Sequence, residues 1–252
     1  MKKLSLPLAL VLMITLISAC GGGAQKTYSA LSDFQGAKIA SQTGTSFDTL
    51  IAPVIPNVHN MYLNDLSGQI MALQSDKADA CALDEPVAKL VVAQNPNLVL
   101  FPEVVVTDTY GFAFQKGNPL AQKAQAVVEK LRADGIIDEM NARWFGGNEA
   151  DKVLPELNEN PNFDGSAGTL KFGYDPVLEP MIYIGKAGAV LGFDIELASR
   201  IAYALNRKLE LVPTSVSARV EAVMSGRIDA TGGCMSVTEE RKKNVDFASY
   251  YN

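Results

Sequence analysis

Apolar positions along this chain recur in two periods. Short buried runs read as strands and stripes at helical spacing read as helices, and the two follow one another in turn. Gly36–Ala40 enters a strand, and Thr43–Ser46 leads into a helix carried by Phe47, Leu50 and Ile51. Val58–Leu63 reads as a strand, Gln69–Leu73 as a helix, and Ala78–Leu83 as a buried strand ending on Asp84 ahead of a Pro86–Val92 helix. Tyr110–Phe114 is a further strand, broken by Gly117-Asn118-Pro119. The amphipathic helix Leu120–Arg132 follows, with Ala124, Val127, Val128 and Leu131 on one face. Ile136–Phe145 predicts a second helix closed by Gly146-Gly147. After the aperiodic stretch 148–168, Thr169–Gly173 is a strand, Tyr174–Ile184 a loop over the sheet and Lys208–Val212 another strand. Between the last two, the helix opening at Gly192-Phe193-Asp194 has its stripe through Leu197, Ile201 and Leu205. Ala218–Ala230 predicts a helix and then a short strand. Alternation of this kind is the mark of an α/β fold with βαβ units.

A repeat sharpens the picture. Met71–Ala80 (MALQSDKADA) echoes Glu221–Ala230 (EAVMSGRIDA), pairing Ser75 with Ser225 and Asp79 with Asp229 in the same helix–turn–strand setting. Matching parts predict two lobes.

At 252 residues and 48% hydrophobic content the chain buries a substantial core, in one large domain or two lobes. A net charge of −6 argues against a nucleic-acid partner. The single histidine, His59, leaves little material for a metal centre or a Ser-His-Asp triad, and neither metal nor cofactor is expected. Of three cysteines, Cys81 and Cys234 are either a pair or two buried thiols.

Cys20 belongs to a different feature. Met1-Lys2-Lys3 is a basic start, Leu4–Ile17 an apolar run of 14 residues, and Ile17-Ser18-Ala19-Cys20 resembles a bacterial lipobox. Residues 1–19 are therefore expected to be a cleaved signal peptide, and 20–28 a tether lipidated at Cys20 and loosened by Gly21-Gly22-Gly23.

The chemistry concentrates in Thr231–Asn252 (TGGCMSVTEERKKNVDFASYYN). Two glycines allow a sharp turn, and Thr238 is placed to cap a short helix starting at Glu239, which puts Arg241 on its first turn. Hydroxyls, helix-start amides and a guanidinium within a few residues suit a carboxylate. The alternative is a solvated charged face from Glu239 to Lys243. Thr43-Gly44-Thr45-Ser46 is a second anion-friendly turn, or a plain helix cap. Asp84 sits where parallel sheets place ligand groups, or else caps the next helix.

Gly-x-x-Ser-x-Thr-x-x-Arg, followed by Val245-Asp246-Phe247 and Tyr250-Tyr251, resembles the signature of the family 3 extracytoplasmic solute-binding proteins, the polar amino-acid receptors of ABC importers. Gly192–Ala198 (GFDIELA) and the stretch from Leu131 to Gly146 resemble the same family, over about 29–149 and 168–252 in all. The resemblance implies a periplasmic-binding-protein-like type II fold, two βαβ lobes around a ligand cleft. It implies that Ser236 and Arg241 hold the ligand's α-carboxylate, reached on closure by Thr45 or Ser46. It also implies that Asp84 and the Cys234 carbonyl receive the α-ammonium. Leu178, Met181 and Val216 fall where the family usually has aromatic residues, which favours a small or aliphatic ligand side chain over a cationic one. Trp144 is expected to pack, not to touch ligand.

The family's segments stand here in swapped order. Residues 29–150 correspond to a second lobe plus a return segment, 151–167 to a linker, and 168–252 to a first lobe without the crossing strand that follows it. The chain reads as a circular permutant or as the first part of a tandem, and its ending in mid-motif favours the tandem. The expected function is a lipid-anchored extracytoplasmic receptor that delivers an amino acid to an ABC permease, with no enzyme activity. The alternatives are a sensing or scaffold module without transport, and a dehydratase-type enzyme for which no acid–base pair is evident.

Overall fold

The computed structural model describes residues 6–13, 28–146, 148–157 and 162–251, with only the backbone path for 6–13 and Val177. The basic start, the lipobox with Cys20 and the glycine tether lie outside the described residues. The chain divides into two compact units between Asp108 and Thr109.

The first unit contains β1 (Leu6–Met13), β2 (Lys38–Gln42), α1 (Phe47–Ile51), β3 (His59–Leu63), α2 (Leu66–Gln74) and β4 (Ala80–Asp84). It continues with α3 (Glu85–Gln94), β5 (Leu98–Leu100) and β6 (Val106–Asp108). Its sheet runs β3-β2-β4-β1-β5, with β6 also on β1. β2 is parallel to β3 and β4, whereas β1 is antiparallel to β4, β5 and β6. The core gathers Phe34, Ile39, Phe47, Ile51, Ile55, Ala80 and Phe101. All five residues of β4 are buried, as its unbroken apolar run requires of a strand covered on both faces. Two features depart from the sequence reading. β5 and β6 are too short to register as periodic runs, and part of the expected signal segment, Leu6–Met13, is a strand inside the sheet.

The second unit contains β7 (Tyr110–Gln115), α4 (Pro119–Ala133), α5 (Ile136–Asn141) with a π turn at Ala142–Gly146, and β8 (Thr169–Tyr174). There follow β9 (Val177–Leu178), β10 (Ile182–Ile184), β11 (Val190–Leu191), α6 (Phe193–Ala204) and β12 (Lys208–Pro213). α7 (Arg219–Met224), β13 (Ala230–Thr231), α8 (Glu239–Lys242) and β14 (Val245–Tyr251) complete it. The main sheet runs β12-β8-β13-β7-β14, with β8 parallel to β12 and β13, and β7 antiparallel to β13 and β14. β7 thus lies within a sheet built otherwise from 169–251. α4 lies on β14: Ser249 N donates to Gln125 Oε1 at 2.7 Å and Arg132 Nη2 to the Tyr250 carbonyl at 2.7 Å, while Ala124 and Val128 are buried. Tyr174–Ile184 is not a plain loop. β9 and β10 pair, and β11 extends them into a small antiparallel sheet.

The internal repeat holds to atomic detail. Ser75 Oγ donates to the Met71 carbonyl and Ser225 Oγ to the Glu221 carbonyl, each closing its helix, α2 or α7. The next residue is left-handed in both, Asp76 at φ 56° and Gly226 at φ 73°. Asp79 Oδ2 then accepts from Lys38 N at 2.7 Å, and Asp229 Oδ2 from Lys171 N at 2.7 Å. The repeated aspartate ties each helix–strand turn to the start of the neighbouring strand.

α6 is pinned to the π turn by a buried charge. Glu196 is fully buried and accepts from Arg143 Nη1 at 2.8 and 2.6 Å, from Trp144 Nε1 at 2.8 Å and from Arg200 Nε at 2.9 Å. Trp144 is itself buried against Tyr183, the packing role expected of it.

Candidate ligand-binding elements

The glycines after β13 are required by close approach. A Cβ on Gly232 would stand 2.6 Å from Phe112 Cε1 and 2.8 Å from Asp194 Oδ2. Gly233 has φ 81° and is followed by Cys234, a buried non-glycine residue at φ 49°. Two buried side chains brace this left-handed pair. Asp194 Oδ2 accepts from Gly233 N at 2.6 Å and from Tyr250 Oη at 3.2 Å, and Arg219 Nη1 donates to the Gly232 and Gly233 carbonyls, both at 2.8 Å. Backbone held in a sparsely populated conformation persists where its surroundings over-determine it, as they do here.

The loop then joins β7. Gly111 N donates to the Met235 carbonyl, Val237 N to the Thr109 carbonyl, and buried Ser236 makes a bridge with Tyr110. Thr238 Oγ1 caps α8 by accepting from Arg241 N at 3.2 Å, the cap expected from the sequence. The charge run divides by function. Lys242 pairs with Glu239 and Lys243 with Glu240 on the exposed face, whereas Arg241 turns back and donates from Nη1 to the Ser236 carbonyl at 3.0 Å. Arg241 is partly exposed.

Leu178, Met181 and Val216 belong to the same unit and are all buried. Leu178 lies beside the glycine loop, since its Cδ1 would be 3.5 Å from a Cβ at Gly233. Val216 N donates to Asp175 Oδ2, and the Met181 carbonyl accepts from Asp194 N at the start of α6.

Asp84, Thr45 and Ser46 belong to the other unit, at the carboxyl ends of the neighbouring parallel strands β2 and β4. Asp84 is 4% exposed and occupies the N-cap position of α3, yet its side chain makes no capping bond. Thr45 Oγ1 donates to the Gln42 carbonyl at 2.7 Å, and Ser46 stands at the N-cap of α1 with no side-chain cap bond. Cys81 and Cys234 are both buried thiols outside any disulfide, and burial pushes Cys81 up to about 12.

Asp194 and Arg219 escaped the sequence reading. The signal was an acid set inside an apolar helix start, Gly192-Phe193-Asp194-Ile195, where an unpaired carboxylate has no reason to be. Burial raises the Asp194 carboxyl to about 7; the bonds from Gly233 and Tyr250 and the Arg219 guanidinium pull it down without cancelling the rise. Its Oδ1 receives no hydrogen bond. The folded form therefore keeps a proton that the unfolded chain, with its ordinary value of 3.8, has released. The contribution of Asp194 to stability is full below about pH 4 and lost as pH rises through about 7. Asp194→Asn is expected to remove this slope. Urea midpoints at pH 5 and 8 should fall for the wild type relative to the variant, and an equal difference at both pH values would contradict the assignment.

The model of the bacterial extracellular solute-binding proteins, family 3, matches residues 170–252. The glutamine-binding protein of Geobacillus stearothermophilus is 41% identical over 69 residues, 26% of each chain. The ABC transporter glutamine-binding protein GlnH of Bacillus subtilis is 37% identical over 112 residues, 44% of this chain and 41% of that one. A putative ABC transporter arginine-binding protein of Escherichia coli is 26% identical over 134 residues, 51% of this chain and 55% of that one. The chain thus spans between about a quarter and about half the length of these relatives. Among solved structures, a protein bound to L-arginine superposes with a TM-score of 0.48 at 23% identity, covering 58% of each chain.

Proposed function

We propose, from the match of residues 170–252 to the model of the bacterial extracellular solute-binding proteins, family 3, that the chain is an extracytoplasmic receptor that binds a free amino acid. The observation that carries the reading is the Ser236–Arg241 element. Arg241 Nη1 donates to the Ser236 carbonyl beside a short helix capped by Thr238, which sets a guanidinium next to helix-start amides, a combination that suits a planar carboxylate. The names of the relatives, glutamine- and arginine-binding proteins of ABC transporters, support an α-amino acid as that anion's source and an ABC permease as the recipient.

In this account Arg241 and Ser236 hold the α-carboxylate, with Thr45 or Ser46 joining from the other unit. Asp84 and the Cys234 carbonyl take the α-ammonium. Leu178, Met181 and Val216 bound the ligand's side chain, and the absence of an aromatic residue among these three favours an uncharged, small or aliphatic one. Closure of two lobes about a hinge is the corresponding switch. Lipidation at Cys20 after removal of residues 1–19 would hold the receptor at the membrane. Its domains would be 29–150, a linker at 151–167, and 168–252.

A thermal-shift panel of the natural amino acids tests the proposal. At a ligand concentration about 100 times Kd, binding adds about 2.7 kcal/mol of stability, a shift of several degrees. A panel in which no amino acid moves the midpoint would overturn it.

A further inference from the structure

The internal repeat runs on past the strands it contains, and the two units differ at its end. Four residues beyond Ala80 and Ala230, it sets Asp84 of the first unit opposite Cys234 of the second. The first unit offers a carboxylate side chain at this position. The second offers left-handed backbone, Gly233 at φ 81° and Cys234 at φ 49°, and keeps a carboxylate behind that backbone. Asp194 is fully buried there. Its Oδ2 accepts from Gly233 N at 2.6 Å and from Tyr250 Oη at 3.2 Å, while Oδ1 has no hydrogen-bond partner among the described residues. The ionisable groups that face it are Arg219 from α7, Tyr250 and Tyr251 from β14, and Cys234 from the loop. Phe112 of β7, with Leu178 and Ile182 of the small sheet, borders the same two glycines with apolar atoms.

We propose that Asp194 is a positioning residue for ligand recognition. Through the Gly233 amide it sets the direction of the Cys234 carbonyl. On the amino-acid reading above, on which this rests, that carbonyl takes the ligand's ammonium, and the ionised form of Asp194 draws the ammonium to it. A buried carboxylate attracts a nearby cation far more strongly than it would in water. Burial raises the Asp194 carboxyl to about 7, so its charge changes near neutrality. Below that pH the unliganded fold holds the carboxyl protonated, and an arriving ammonium must expel the proton. Above it the carboxylate is already formed. Affinity therefore rises with pH, through the reciprocal linkage of proton and ligand.

Isothermal titration at pH 5, 6, 7 and 8 tests the proposal on wild type and Asp194→Asn. The probe is whichever natural L-amino acid shifts the wild-type melting temperature most. Wild-type affinity should tighten about tenfold from pH 5 to 8, the equivalent of one pKa unit of coupling. Asp194→Asn keeps an acceptor for Gly233 N but cannot ionise, so its affinity should change by less than about twofold over the same range. The comparison also cancels any titration of the amino acid itself. A purely structural Asp194 would alter unfolding midpoints without separating the two affinity profiles. If Asp194→Asn does not fold, Tyr250→Phe takes its place. It removes one of the bonds that pull the Asp194 carboxyl down, so the rise in affinity should move to higher pH. A flat wild-type profile, the same slope in Asp194→Asn, or an unmoved profile in Tyr250→Phe would overturn the proposal and leave the receptor reading intact. A wild type whose melting temperature no amino acid shifts would overturn that reading, and this proposal with it.

Discussion

Glu196→Ala should destabilise the second unit by about 3–5 kcal/mol, the cost of breaking a buried ion pair from one side. The carboxylate is the common acceptor for Arg143, Arg200 and Trp144, and Arg200 is 9% exposed. Deleting it removes an acceptor shared by a buried guanidinium and a buried indole N–H. Arg143→Ala should cost less, because the buried Glu196 carboxylate keeps its ion pair with Arg200 and the bond from Trp144. Urea unfolding followed by tryptophan fluorescence reads the change directly, since Trp144 is the only tryptophan and donates to the same carboxylate. A loss below about 1 kcal/mol for Glu196→Ala would mean that apolar packing alone holds α6 to the π turn.

Arg241→Ala should cost about 2–5 kcal/mol in amino-acid binding, and Asp84→Ala a similar amount, because each truncation leaves a ligand charge enclosed without its partner. This corresponds to roughly 30- to several-thousand-fold in affinity. The folded-state effects are read separately. Arg241→Ala removes, among its contacts, the bond to the Ser236 carbonyl, of a kind worth about 1 kcal/mol. Asp84→Ala removes no capping bond, as its side chain makes none. Calorimetric titration of both variants beside their unfolding curves separates binding from stability. Unchanged affinity in Arg241→Ala would return the helix to the status of a solvated charged face.

The sequence made the framework legible wherever a periodic run was long enough or a turn had its own chemistry. β2, β4, β7, β8, α4 and α6 lie within a residue or two of their expected places. Thr238 was readable as a cap because a hydroxyl three residues before an arginine, ahead of two acids, has few other uses. The repeat was readable because Ser75, Asp79, Ser225 and Asp229 do the same work twice. Three things were not legible. Strands of two or three residues, β5, β6, β9 and β10, are too short for any period to show. The left-handed Gly233-Cys234 pair needs Asp194 and Arg219 to hold it, and these lie 39 and 14 positions away from Gly233 in sequence. Leu6–Met13 has a composition that suits a signal segment and a buried strand equally, because both require an unbroken apolar run.

Isothermal titration with each amino acid that raises the melting temperature, and with that amino acid's α-amide and N-acetyl derivatives, tests the central claim most directly. Recognition through Arg241 and Asp84 predicts one-to-one binding of the free amino acid. Loss of the carboxylate's charge in the amide, or of the ammonium's charge in the acetyl derivative, should each abolish binding to the limit of detection. Binding of either derivative as tight as the parent would contradict the account.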